Sequence, residues 1–223
     1  MANPPLLLCD TDVLVQLFLA GELRPLIDLK KSYGVQPAVV LEVDLELRWV
    51  RKYRDRFVSQ LDKALRSETL KKLDVALFQS LLASAKPGTS WASFQALGAQ
   101  YYGYVQLGEA YTFAAGVSLA VPAASNDFSA IQTLNAQMLV LPAPIIRCFD
   151  LLVFAHRTDI LDMKACDKVR SELLKNGEGL PKPFQNSSFA EGMKSFVCRL
   201  LDGTQPAGTA APSYSSTLAI TRI

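Results

Sequence analysis

The 223-residue sequence predicts an α/β protein: a three-layer α/β/α domain on a short, mostly parallel sheet of four or five strands, followed by a helical C-terminal extension. Three observations carry this reading. Short apolar runs alternate with helical patterns as far as about residue 142. Two of those runs end in acidic, cap-forming clusters, Asp10-Thr11-Asp12 and Ser125-Asn126-Asp127. After Pro144 the pattern is helical alone.

Taken in order, residues 6–9 (Leu-Leu-Leu-Cys) are a continuous apolar run and read as a buried strand. Thr11 or Asp12 is expected to cap the next helix, which carries Val13, Leu14, Leu17 and Phe18 and stops at Gly21. A short helix over 23–31 closes at Gly34, a second strand covers 35–37, and a helix runs over 38–49 with Val39, Val40, Val43 and Leu47 on one face. Two helices are expected between 48 and 85, broken by Lys86-Pro87-Gly88. Helices follow at 90–103 and 107–119, a strand at 120–124, a helix at 127–138 and a strand at 138–141, stopped by Pro142 and Pro144. Helices over 145–156, 159–175 and 187–202 form the extension, with a break at Gly177, Gly179, Pro181 and Pro183. The expected organisation is therefore a domain over 1–144 with a basic helical insertion at 48–86, an extension over 145–202, and a Gly/Ala/Ser/Thr-rich tail over 203–223.

Composition narrows the function classes. Half the residues are hydrophobic and 20% are charged, which supplies a core and excludes wholesale disorder. The four cysteines, at 9, 148, 166 and 198, form no CxxC pair, and a single histidine, His156, argues against a His-based zinc site. The N-terminus has no basic region and is interrupted by Asp10 and Asp12, unlike a signal peptide. The apolar run over 128–146 contains Gln132, Asn135, Gln137 and two prolines, which argues against a membrane span. A cytoplasmic, reduced setting without a membrane partner is the expectation.

Charge is segregated. Between Arg48 and Lys72 there are nine Lys or Arg against three acids, an excess of six in a chain whose net charge is only +2. The remainder is therefore net acidic. A basic helix face is most often simply solvated or a dimer contact; beside a phosphate-handling site, Arg48, Arg51, Lys52 and Arg54 would contact a nucleic-acid backbone. Tyr101, Tyr102 and Tyr104 are spaced as core or interface residues more than as a stacking platform.

The sixty residues from 87 to 146 hold just two charged side chains, Glu109 and Asp127. An ionised carboxylate in apolar surroundings is costly unless paired, hydrogen-bonded or metal-bound. Asp10 and Asp127 each follow a strand, and parallel strand ends line up along one edge, where ligands bind. Glu42, flanked by Val39, Val40 and Val43, and Glu109, near the start of a helix, are expected to turn into the same crevice. Glu46, one turn beyond Glu42, is expected to face solvent. Gathered carboxylates repel one another, and Mg²⁺ or Mn²⁺ relieves this with oxygen-ligand chemistry suited to phosphodiester hydrolysis. Thr11, Asp12, Ser125 and Asn126 are expected to orient these ligands or a bound water.

These residues resemble the PIN-domain nucleases. Leu-Leu-Leu-Cys-Asp10-Thr11-Asp12 is similar to that family's opening strand, Pro37-Ala-Val-Val-Leu-Glu42 to its second acidic position, Gly108-Glu109-Ala to its third, and Ala-Ala-Ser125-Asn126-Asp127 to its fourth. The eighteen-residue step from Glu109 to Asp127 also fits. The resemblance covers roughly residues 5–142, and departs from the family in its length and in a Glu at the third position. It implies a metal-dependent endoribonuclease in which Asp10, Glu42, Glu109 and Asp127 hold one or two Mg²⁺ or Mn²⁺ ions. Bacterial members of VapC type are toxins held in check by a small antitoxin, so a toxin role, an antitoxin partner and a homodimer are the accompanying expectations. The alternative is a non-catalytic PIN-like module that binds RNA or a protein partner. A Ser-His-Asp triad built on His156 and a Gly-rich phosphate loop find no support in the sequence.

Overall fold

The computed structural model describes residues 5–85, 88–142 and 144–200, without the side chains of Arg51, Lys52 and Arg54; the tail expected at 203–223 lies outside the described residues. In chain order the elements are β1 (Leu6–Cys9), α1 (Thr11–Ala20), α2 (Arg24–Tyr33), β2 (Gln36–Val40), α3 (Leu41–Trp49), α4 (Arg51–Arg66), β3 (Lys71–Leu73), α5 (Val75–Ser84), α6 (Trp91–Tyr102) and α7 (Leu107–Leu119). They continue with β4 (Ala123–Ala124), α8 (Phe128–Ala136), β5 (Ile145–Ile146), α9 (Cys148–Arg157), α10 (Met163–Lys175), α11 (Lys182–Gln185) and α12 (Phe189–Met193). Among the described residues no helix is long and apolar enough to cross a membrane.

The expected architecture is present: an α/β fold with a five-stranded, all-parallel sheet flanked by helices. The strand order is β3-β2-β1-β4-β5. Leu8 pairs with Ala38 on one side and with Ala123 on the other, so β1 is the central strand. Every residue of β1 and β2 is buried, as continuous apolar runs require when both sheet faces are covered. Helix α7 packs on β1, β2 and β4, while α2 packs on β2 and α9. Leu8, fully buried, lies at the middle of this core, and its truncation to Ala costs about 2–5 kcal/mol.

The chain runs outward from β1 through β2 to β3, then returns to add β4 and β5 on the other side. The connections therefore diverge between β1 and β4, and the crevice at their C-terminal ends is the topological switch point. Asp10 and the Ser125-Asn126-Asp127 turn follow these two strands directly. The backbone N–H of Asp10 donates to the Ala124 carbonyl at 2.9 Å, extending the ladder to the rim of the crevice.

Four local expectations are corrected. Strand β2 continues to Val40 and α3 begins at Leu41, so Val39 and Val40 are buried in the sheet and not on a helix face. The basic segment forms the two expected helices, α4 and α5, with an unexpected strand between them. It supplies β3, a Lys-Lys-Leu edge strand whose charge masked its period, and Lys72 there pairs with buried Asp44 of α3 at 2.6 Å. No strand forms over 138–141. Met138, at φ +55°, turns the chain after α8, and the Tyr101 hydroxyl donates to the Val140 carbonyl. The edge strand is instead Ile145–Ile146, just beyond the expected boundary at 144.

The helix expected over 187–202 is reduced to α12, followed by irregular chain to residue 200. That segment is held by Asp150, which is fully buried and accepts the Arg199 backbone N–H at 2.8 Å. Arg147 donates to Asp150 and to the Val197 carbonyl, both at 2.8 Å.

Candidate active site

The N-terminus of α1 sets the floor of the crevice. Asp10, not Thr11 or Asp12, is the N-cap: its backbone is extended and its Oδ1 accepts the Thr11 N–H at 2.7 Å. Asp10 is buried and opens toward the crevice. Asp12, one helical step on, accepts the Asn126 backbone N–H at 2.8 Å, which ties α1 to the β4–α8 turn. Its other oxygen, Oδ1, is buried and makes no hydrogen bond of ordinary geometry among the described residues.

The β4–α8 turn forms the opposite wall. Ser125 is fully buried; its hydroxyl donates to Glu109 Oε1 at 3.0 Å and accepts the Asp127 N–H at 3.2 Å. Asn126 accepts the Cys148 N–H at 2.9 Å, anchoring the turn to α9. Asp127 caps α8, with Oδ1 accepting from the Ser129 N–H (2.9 Å), the Ser129 hydroxyl (2.6 Å) and the Ala130 N–H (3.0 Å). The cap employs one oxygen of that carboxylate. Glu109 sits in the first turn of α7 and is buried.

The remaining acid at the centre of the site is Glu46, on α3. Thr11 donates its hydroxyl to Glu46 Oε2 at 2.7 Å. Gly108 makes room for this: a Cβ there would collide with Glu46 Oε2 and stand 3.0 Å from Thr11 Oγ1. The expectation for Glu46 is thus reversed, since it faces the crevice and not solvent. The expectation for Glu42 is also corrected. Glu42 lines a separate small apolar recess with Leu73, Phe78, Trp91 and Phe94. The late start of α3 puts Glu42 in its opening turn, against α5 and α6, and one further turn is needed to reach Thr11 and α7.

Together Asp10, Asp12, Glu46, Glu109, Asp127 and Glu178 line a cavity of about 250 Å³, with Thr11, Gln16, Tyr53, Gln106 and Asn126 among the other lining residues. Among the described residues no Lys, Arg or His lines it. The electrostatic consequence is strong. Burial, reinforced by the charges of Asp12, Glu109 and Glu46, holds the Asp10 carboxyl well above the usual carboxylate range. Burial and then the Asp127 charge push Glu109 up to about 8, and burial with the same neighbour pushes Asp12 up to about 6. Glu42 is raised by burial alone.

Neither a family model, nor a curated protein, nor a solved structure matches the chain.

Of the acids expected from sequence, Asp10, Glu109 and Asp127 meet in the crevice, as do Thr11, Asp12 and Asn126; Ser125 lies just behind, on Glu109. Arg48, expected on a nucleic-acid backbone, is occupied: it pairs with Asp44 at 2.9 Å and with Asp62 at 2.7 Å. The side chains of Arg51, Lys52 and Arg54 lie outside the described residues. Tyr101 is a core residue, fully buried, while Tyr102 and Tyr104 are exposed. Tyr53, Gln106, Glu46 and Glu178 are lining residues that the sequence pattern did not single out.

The donor set is carboxylate, hydroxyl and amide oxygen, which suits a hard divalent cation. Among the described residues no three acidic, histidine or cysteine side chains are grouped tightly enough to chelate one ion. An ion bound there would take one or two carboxylates, with waters and substrate oxygens completing its shell. The buried Asp12 Oδ1 and the raised Asp10 and Glu109 carboxyls are the features such a cation relieves.

Proposed function

We propose that this chain is a metal-dependent ribonuclease that hydrolyses RNA phosphodiester bonds at the switch-point crevice. One observation carries the reading: six carboxylates line one cavity and, among the described residues, no basic side chain joins them. Folding such a set together is unfavourable unless bound protons or a cation balance it, and a cation does so at neutral and alkaline pH. The order of Asp10, Glu109 and the Ser125-Asn126-Asp127 turn, which resembles that of PIN-domain nucleases, adds support.

In this reading one or two carboxylates among Asp10, Glu46 and Glu109 would bind Mg²⁺ or Mn²⁺ directly, and the others, with Asp12 and Asp127, would act through its water shell. When bound, the ion supplies charge neutralisation at a phosphoryl oxygen and activation of water. The chain's own groups do the positioning. Thr11 fixes one Glu46 oxygen, Ser125 fixes one Glu109 oxygen, and the Asn126 N–H fixes one Asp12 oxygen. Each of these carboxylates retains a second oxygen for a ligand. Cysteine is no nucleophile here: Cys9 and Cys148 are buried and burial raises both thiols, Cys9 to about 12.

The test is incubation of the purified full chain with end-labelled single-stranded RNA in Mn²⁺, Mg²⁺ or EDTA, with Asp10→Asn as control. Cleavage that needs the metal and fails in Asp10→Asn is the expected result. Tight Mn²⁺ binding without any cleavage would overturn the enzyme reading in favour of a non-catalytic binding module.

A further inference from the structure

Glu178 reaches the acidic cavity from outside the sheet domain. It lies between α10 and α11, in the segment that follows the last strand. Local chemistry fixes its position. Gly177, at φ +72°, ends α10 in the left-handed conformation, and the Glu178 N–H returns to the Leu173 carbonyl at 3.0 Å. Leu180, two residues on, is buried in the core, and its carbonyl accepts from Gln185 at 2.8 Å. The loop is also tied sideways, since Gln16 of α1 donates to the Gly179 carbonyl at 3.4 Å and Arg56 of α4 donates to Asn176 at 3.1 Å.

The carboxylate itself is weakly engaged. Its one hydrogen bond is a long contact from Gln16 Nε2, at 3.5 Å, and among the described residues it forms no ion pair. Gln16 stands one helical turn beyond Asp12, so Glu178 is on the same side of the crevice as Asp12 Oδ1, buried and without a hydrogen bond of ordinary geometry among the described residues. Glu109 lines the same cavity; it is 4% exposed, and its Oε1 is fixed by Ser125. A held loop that delivers a further negative charge to such a wall adds to the repulsion, unless the charge has a use.

We propose that Glu178 is a metal-positioning residue, which supplies the cation site from the C-terminal extension. It holds a hard divalent cation, directly or through its water shell, against Asp12 and Asp127. This rests on the ribonuclease reading, because it assumes the same cation site. It also gives the extension a purpose, because the site is incomplete without the α10–α11 loop.

The test is Mn²⁺ titration of the intact, EDTA-stripped chain by calorimetry, with melting temperature in EDTA measured alongside. Glu178→Gln keeps the size of the side chain and removes its charge. Affinity for Mn²⁺ should fall about tenfold or more, in the range found for groups that support metal ligands. Melting in EDTA should stay the same or rise, and Glu178→Asp should recover part of the affinity. A purely structural role would lower the melting temperature and leave affinity unchanged, and that pattern overturns the proposal. If the parent chain binds no Mn²⁺ at all, the cation site itself fails, and with it the ribonuclease reading. If the parent binds and Glu178→Gln binds equally well, only the role of Glu178 fails.

Discussion

Thr11 and Glu46, thirty-five residues apart in sequence, share a hydrogen bond of 2.7 Å across the mouth of the crevice. That bond decides which α3 acid belongs to the site. Gly108 stands behind it, since any side chain there would strike Glu46.

Gly108→Ala is therefore a direct probe of Glu46. The added methyl meets the far end of a flexible side chain, so Glu46 swings away and the backbone need not move. Alanine also favours a helix over glycine by about 1 kcal/mol, which offsets the crowding. The expected outcome is a melting temperature within a few degrees of the parent and a loss of Mn²⁺ affinity close to that of Glu46→Gln. Unaltered affinity in Gly108→Ala would exclude Glu46 from the cation site.

Glu109 sets the pH behaviour of the metal-free chain. Its folded-state carboxyl is raised from the ordinary 4.5 to about 8, so the folded chain binds a proton that the unfolded chain releases. Stability from this group is fully present below about pH 4.5 and is lost as pH rises through about 8. Asp12, raised to about 6, and Asp10, raised chiefly by burial, act in the same direction. In EDTA the melting temperature should fall steadily from mildly acidic to mildly alkaline pH, and Mn²⁺ should flatten the fall. Glu109→Gln should melt higher than the parent in EDTA at pH 8, by about 2–4 °C for each kcal/mol relieved. A parent chain that grows more stable with rising pH in EDTA would contradict this.

Arg48 yields a stability effect where the sequence suggested an RNA contact. Asp44 is 1% exposed and bridges Arg48 of its own helix and Lys72 of β3, so it fastens the edge strand to α3. Removing it leaves two cations without their buried partner. Asp44→Ala should destabilise the chain by about 1.5–3 kcal/mol, the range for hydrogen bonds to charged groups. Arg48→Ala should cost less, because Arg48 is partly solvated and Lys72 still serves Asp44. Urea denaturation of both variants checks the ranking. A loss of RNA affinity in Arg48→Ala at unchanged stability would return it to the RNA surface.

Much of this was legible because strand ends announce themselves. Continuous apolar runs closed by Asp10 and by Ser125-Asn126-Asp127 marked both the central strands and the switch-point acids. The scarcity of charge from 87 to 146 isolated Glu109. What escaped depended on partners remote in sequence. Lys71–Leu73 carries no apolar period, and becomes a strand only because β2 offers an edge and Asp44 receives Lys72. Choosing Glu46 over Glu42 depends on where β2 stops, a boundary set by pairing with β3. Glycine at the second position of α7, next to Glu109, was the available sign that something presses on that turn. Glu178 gave only a weaker one, standing between two glycines after a helix.

The basic face of α4 supplies the last prediction. Nine Lys or Arg against three acids over 48–72 exceed the whole chain's net charge, while the crevice presents six carboxylates. Arg48 and Lys72 are engaged by Asp44 and Asp62, so a contact with a polyanion would fall to the cations of α4. Tyr53, on this same helix, lines the cavity, so the basic run starts at the rim of the crevice. A phosphate backbone lying along α4 would neutralise these cations and release counterions, and its affinity would fall as salt rises. Reversing Arg51, Lys52 and Arg54 to Glu should weaken RNA binding. It should also reduce the slope of log affinity against log salt by about one for each phosphate that is no longer neutralised. Mn²⁺ affinity should change little, because a cationic side chain is not a ligand for a hard cation. Fluorescence anisotropy with a short labelled RNA, repeated over a range of salt, measures the affinity and its slope. If the triple variant keeps the parent's slope, the α4 face is solvated or covers another protein, and the RNA path must enter the crevice from a different side.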